Sequence, residues 1–165
     1  YRWRQHDEVV SARKSAVDLW LLQLLNFSYD HSKIYRNDPV WQSVAHTWKT
    51  KQGVCRDSAT VLADMLEQHG HDARMVVGYV TGPRWDSGGG GHAWVGLVDR
   101  ESGYEYILES TGDSQGSRMR TPPRVSEEMD YTSEMQIVSG GYYTLDSSGS
   151  RNSSLTKGWT FSKVR

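Results

Sequence analysis

His92-Ala93-Trp94-Val95-Gly96-Leu97-Val98, then Asp99-Arg100-Glu101-Ser102, then Gly103-Tyr104-Glu105-Tyr106-Ile107-Leu108-Glu109, is the stretch on which the fold turns. Two runs rich in apolar, β-branched and aromatic residues alternate with period two across four polar residues, the pattern of an antiparallel hairpin. With Asp99 to Ser102 as the loop, Val98 opposes Gly103. Leu97 then faces Tyr104, Val95 faces Tyr106 and Ala93 faces Leu108, giving one wholly apolar face. On the other face Gly96 meets Glu105, Trp94 meets Ile107 and His92 meets Glu109. Directly opposed residues have Cβ atoms about 4.5–5.5 Å apart. The register that segregates the apolar residues therefore also predicts an imidazole beside a carboxylate.

Working outward, Ala73 to Val80 reads as a further strand. Thr81 to Gly91 reads as a glycine-rich loop with one proline, its four glycines, Gly88 to Gly91, as a flexible connection or a mobile rim over a site. Upstream the period becomes helical. Residues 7 to 27 carry Asp7 and Glu8 at the expected start and an apolar stripe of Val9, Ala12, Ala16, Leu19, Trp20, Leu24 and Phe27. Residues 26–39 read as a polar loop. Val40 to Lys49 reads as a short helix with Trp41, Val44, Ala45 and Trp48 inward. After Gly53 a second strong helix begins near Val54, with Val54, Val61, Leu62, Met65 and Leu66 on its apolar side, and it ends at His69-Gly70. Beyond Glu109, Met135 to Val138 and Tyr142 to Leu145 read as edge strands flanking Gly140-Gly141. Trp159 to Phe161 reads as another, and Asp146 to Ser154 as a long loop or hairpin tip. Helices followed by an antiparallel sheet make an α+β domain. It is read as one domain over residues 1–165: an N-terminal helix at about 7–27, a core at about 41–111, and strands and loops over 112–165.

Composition narrows the function. A chain of 165 residues suits one domain with a real core. With 19 Lys+Arg against 20 Asp+Glu, it has no basic excess to draw nucleic acid or an anionic membrane. A single cysteine excludes an intrachain disulfide and a Cys-based zinc cluster. The longest apolar run, Leu19 to Leu25, is broken by Gln23 and falls short of the ~18–20 residues of a membrane span. The chain opens on Tyr1 rather than Met, which reads as a processed product or a cut domain.

Cys55 opens the second strong helix. There the unpaired N–H groups and the positive end of the helix dipole stabilise a thiolate, which is the nucleophilic form. A free cysteine is often merely a small buried hydrophobe, and a His–Glu cross-strand pair is ordinary taken alone. If that helix packs over the His92–Glu109 face, the three form a Cys-His-Glu set, with His92 as general base and acid and Glu109 as its orienter.

Three blocks now carry a resemblance: Trp48-Lys49-Thr50-Lys51-Gln52-Gly53-Val54-Cys55-Arg56-Asp57-Ser58-Ala59, Gly91-His92-Ala93-Trp94-Val95, and Ile107-Leu108-Glu109-Ser110-Thr111. Together they resemble the transglutaminase-like superfamily, which covers transglutaminases and bacterial transglutaminase-like cysteine peptidases with a papain-like core. The likeness runs from about Trp41 to Thr111. It implies Cys55 as nucleophile, His92 as base, Glu109 as third member, and Trp48 as an oxyanion-stabilising or site-lining residue beside the Cys55 backbone N–H. It also implies a protein or peptide substrate and an extracytoplasmic setting, although one thiol without a disulfide fits the cytoplasm as well. Two departures stand out. Family members mostly carry Asp where Glu109 stands. Calcium-dependent bacterial peptidases of the group have acidic residues on both sides of the cysteine, whereas here the neighbours are Val54 and Arg56 and only Asp57 matches. No cofactor or metal is expected. By analogy a cysteine peptidase is the leading reading; a protein-glutamine transglutaminase or deamidase, and a catalytically idle protein-binding module, are its rivals.

Other signals carry less. Gly112-Asp113-Ser114-Gln115-Gly116 matches a serine-hydrolase elbow, but no histidine follows it in the chain. Gly88 to Gly91 lacks the Lys-Ser/Thr of a phosphate-binding loop. His69 and His71 flank a helix end and have no third ligand at matching spacing. His46 is unassigned, and Asp57 and Asp64 read as facing solvent or ordering the helix start.

Overall fold

The computed structural model describes residues 15–35, 41–83, 85, 88–111, 122–138, 141–145 and 151–156, with those from 134 onward described as backbone. Ser15 opens the first helix, its Oγ accepting the Asp18 N–H at 3.2 Å, and α1 runs Ala16–Asn26. Residues 7–14 of the expected helix lie outside the described residues. The expected 26–39 loop instead carries a short strand, β1 (Ser28–Tyr29), and one helical turn and a half, α2 (His31–Tyr35). Ser43 caps α3 (Val44–Thr50) by accepting the His46 N–H at 3.1 Å. That cap starts the helix later than the expected Val40. It also turns Ala45 outward and brings Thr47 inward beside Trp48. β2 (Gln52–Gly53) pairs parallel with β1. α4 then spans Cys55–Gln68, with Val61, Leu62, Met65 and Leu66 buried. Gly70, at φ 84°, closes it by donating its N–H to Glu67 O at 2.9 Å, the ending its position in the sequence signals.

The sheet comprises β3 (Asp72–Thr81), β4 (Gly89–Val98), β5 (Glu105–Leu108), β6 (Tyr131–Val138), β7 (Gly141–Leu145) and β8 (Arg151–Thr156). Its order is β5-β4-β3-β6-β7-β8, antiparallel throughout. Three expectations change here. Gly89 to Gly91 belong to β4 and pair with Tyr79 to Thr81 rather than forming a loop. Gly89 permits this because a Cβ there would lie 2.1 Å from Val80 O. The strands expected at edges, Met135 to Val138 and Tyr142 to Leu145, begin at Tyr131 and Gly141 and both lie inside the sheet, because β6 pairs with β3 and β7, and β7 pairs with β6 and β8. Part of the expected 146–154 loop is β8, whose polar residues give no apolar signal because an outer strand is held through the β7 backbone. Trp159 to Phe161 and residues 112–121, with Ser114, lie outside the described residues.

The hairpin differs in register. Val98 pairs with Glu105 and Val95 with Leu108, two residues away from the expected pairing. The turn is Arg100 to Gly103, closed by Asp99 N–H to Tyr104 O at 2.9 Å. Gly103, at φ 75°, is suited to the turn and not to the strand. The Asp99 carboxylate fixes this by accepting from Glu101 N–H at 3.1 Å and Ser102 Oγ at 2.6 Å. A shift of two keeps every side chain on its expected face. α4 lies across β3 and β4. Thr60 Oγ1 donates to Met75 Sδ at 3.2 Å, and Met75 stands opposite Val95, so α4 covers the apolar face and not the His92 face.

Gly78 marks the closest backbone approach in the sheet, where the β3–β6 register shifts. A Cβ there would lie 2.0 Å from Thr132 O and 2.9 Å from Trp94 Cη2. Gly78→Ala is therefore expected to cost about 1–3 kcal/mol through overpacking, measured as a lowered urea midpoint. A midpoint equal to wild type would contradict this close approach.

Candidate active site

Cys55 is half-buried at the first position of α4. The helix start is ordered by Asp57, whose Oδ2 accepts the Val54 N–H at 3.0 Å while Oδ1 accepts the Gln42 N–H at 2.9 Å. Asp57 is buried, so of the two readings offered from sequence, ordering the helix holds and facing solvent does not. It also dictates Gly53, where a Cβ would lie 2.6 Å from the Asp57 Cβ.

The Cys55 thiol lies where the His92 ring and the Ala93 backbone act on it, and both lower its pKa. Ala93 pairs with Val77 on its β3 side, and β5 pairs with β4 only as far as Val95. The thiol thus meets β4 along the edge that β5 leaves open. It reaches His92 around that edge rather than across the face on which helix packing had been expected.

His92 Nε2 lies 2.8 Å from Glu109 Oε2. Continuing the observed register sets Glu109 opposite Trp94, one diagonal step from His92, and the glutamate side chain spans that diagonal. Glu109 is 0% exposed. Its Oε2 also accepts the Tyr131 hydroxyl at 2.8 Å, and its Oε1 accepts the Thr111 N–H at 3.1 Å. The backbone is pinned as well: Trp20 Nε1 donates to Glu109 O at 2.6 Å and Gln23 Nε2 to Ser110 O at 2.9 Å. Trp85 stands edge-on to His92, ring centroids 5.0 Å apart, and to Tyr131 at 5.6 Å. The stretch expected as the 81–91 loop thus places a buried indole against the histidine.

The electrostatics follow from these contacts. Burial alone pushes the Cys55 thiol up, but the His92 hydrogen bond and charge and the Ala93 backbone outweigh it, leaving the thiol below its ordinary 9.0. Burial alone pulls His92 down, but the Glu109 charge and the bonds to Cys55 and Glu109 push it up to about 10. Burial raises Glu109, but the charge and hydrogen bond of His92, with Tyr131 and the Thr111 N–H, hold it below the usual carboxylate range. The arrangement favours a thiolate–imidazolium pair backed by a carboxylate.

Trp48 is 3% exposed on α3, its ring 5.6 Å from that of Phe27 and beneath the Lys51 ammonium, in the same packed cluster that Cys55 borders. His46 is exposed on α3. Tyr131, Trp85, Gln23 and Lys33 are site residues that sequence reasoning missed. Gln23 alone left a trace, as the polar break in the Leu19–Leu25 run. Among the described residues no group of three His, Cys, Asp or Glu is placed to hold a metal, and no helix is long and apolar enough to cross a membrane.

The architecture is that of papain-like α+β proteins, a helix bearing a cysteine at its start beside an antiparallel sheet bearing a histidine. A family model for the transglutaminase-like superfamily matches residues 4–107, more than half the chain, and the chain belongs to that superfamily. Among solved structures, calcium-bound LapG of Legionella pneumophila superposes with a TM-score of 0.62 at 15% identity, covering 89% of this chain and 75% of that one. EGTA-treated LapG gives 0.60 at 15%, covering 83% and 69%. At such identity the likeness shows a shared fold. No curated protein matches the sequence. The acidic residue nearest the cysteine does not suit a metal here, since both Asp57 oxygens are taken by backbone N–H groups and by Lys33 Nζ at 2.8 Å.

Glu109→Gln removes the charge that most raises His92. The His92 ring protons, followed by NMR, should titrate well below 10 in this variant and toward the ordinary 6.5. Unchanged titration near 10 would rule Glu109 out as the cause.

Proposed function

We propose that the chain is a cysteine-dependent acyl-transfer enzyme acting on peptide or side-chain amides, most simply a transglutaminase-like cysteine peptidase. The observation that carries this reading is His92, hydrogen-bonded to a fully buried carboxylate and acting on the Cys55 thiol from the other side of its ring. Nε2 is engaged by Glu109, which leaves Nδ1 for the sulfur.

In the proposed cycle the Cys55 thiolate attacks the amide carbonyl carbon. The oxyanion is stabilised by backbone N–H groups at the start of α4, with the Trp48 indole assigned to the same wall. The intermediate collapses with cleavage of the C–N bond. His92 gives its proton to the departing nitrogen, leaving a thioester on Cys55 and a neutral imidazole. His92 then takes a proton from water, the hydroxide adds to the thioester carbonyl, and the acid leaves as thiolate and imidazolium re-form. Glu109 stabilises the charged ring at both stages without itself accepting the proton. With an amine in place of water, the same thioester yields a cross-link.

Iodoacetamide should alkylate Cys55 rapidly at pH 6–7. The thiolate–imidazolium pair is populated from the lowered thiol pKa upward and is lost only as His92 deprotonates near 10. An ordinary thiol rate at pH 7 would sink the nucleophile assignment. Incubation of wild type and Cys55→Ala with casein and a labelled amine then separates the chemistries. Cys55-dependent fragments mark a peptidase, and amine incorporation marks a transglutaminase. Ammonia release without either marks a deamidase, and no product from either protein favours the binding module.

A further inference from the structure

Asp57 and Cys55 create a conflict at one helix end. Both are anions in the proposed enzyme, two positions apart, and both draw on the positive end of the same helix. Asp57 is also fully buried, with 0% side-chain exposure, so its charge is poorly screened. Left alone it would oppose formation of the thiolate. The structure answers this with Lys33 from α2, whose side chain is only 4% exposed and whose Nζ lies 2.8 Å from Asp57 Oδ2. α2 is itself held against the helix start. Lys33 N–H donates to Asp30 O at 3.2 Å, and Asp30 N–H donates to Gly53 O at 2.9 Å.

We infer that Lys33 is a positioning residue for the nucleophile: its buried ammonium neutralises Asp57, so that Asp57 orders the first turn of α4 without raising the Cys55 thiol. The inference depends on the nucleophile reading above. The charged groups that act directly on the thiol are His92 from β4 and Glu109 beyond β5; Arg56 and Asp57 share its helix, and Lys33 reaches Asp57 from α2. Only the Lys33–Asp57 pair is altered in the test.

The experiment is the pH profile of Cys55 alkylation in four proteins: wild type, Lys33→Met, Asp57→Asn and the double variant, with folding checked by tryptophan fluorescence. Lys33→Met strands a buried carboxylate in the same first turn as the thiol, so its midpoint should rise by about one unit, a roughly tenfold slower reaction at acid pH. Asp57→Asn leaves the ammonium uncompensated, so its midpoint should fall below wild type. The double variant should return near wild type. Where Lys33→Met does not fold, the step from Asp57→Asn to the double variant carries the test, because removing the ammonium must raise the midpoint. A folded Lys33→Met with lower melting temperature but the wild-type profile would make Lys33 purely structural and overturn the inference, as would no change between Asp57→Asn and the double variant. An ordinary thiol midpoint in wild type would instead overturn the nucleophile reading, so the two failures are distinguishable.

Discussion

A carboxylate removed from water costs several kcal/mol unless the protein replaces its hydration, and Glu109 obtains that replacement from almost every part of the fold. Its two oxygens receive His92 from β4, Tyr131 from β6 and the N–H of Thr111. Its own carbonyl receives Trp20 from α1, and the following Ser110 is held by Gln23 of α1 and approached by Ser58 of α4. Removing water from one glutamate therefore demands that two helices and two non-adjacent strands sit in register. The sheet order β5-β4-β3-β6 is what allows a residue after β5 to meet one at the start of β6.

The end of β5 does two things at once. Its ladder with β4 stops at Leu108–Val95. From there the chain turns inward and delivers the Glu109 carboxylate, and the same departure uncovers the edge of β4 at Ala93, where the Cys55 thiol finds a backbone partner. Had β5 continued two residues further, the ladder would have occupied that edge. α4 can therefore pack its apolar side on the apolar face of the sheet, through Thr60 and Met75, while its first residue reaches a histidine on the other face. Core packing and site geometry do not compete for the same surface.

This division also explains which parts the sequence reveals. Face assignment in the hairpin depends only on alternation, so His92 and Glu109 are read onto one face even though the register is displaced by two residues. The displacement turns on Gly103 and on the Asp99 side chain, local turn chemistry that an alternation count passes over. α4 is readable from its apolar spacing, from Gly53 before it and from Gly70 after it. Tyr131, Trp85 and Lys33 are not, because their roles come from pairings between distant segments that leave no periodic mark. Asp57 is intermediate: its position at a helix start is visible, but its burial depends on a lysine 24 residues earlier.

Stability alone does not account for so many charges inside a small domain. Replacing buried ion pairs with well-packed apolar residues is often neutral or stabilising, whereas removing one partner is strongly destabilising. The Lys33–Asp57 and His92–Glu109 pairs are thus each costly to break once present. What the two pairs share is the start of α4, since Asp57 follows Cys55 by two residues and His92 acts on its thiol. One orders the helix start with its two charges paired at 2.8 Å. The other lies in front of it on the sheet and presents a proton. His92, held charged by the Glu109 carboxylate, lowers the Cys55 thiol against the effect of its burial, and groups perturbed in this way cluster at functional sites.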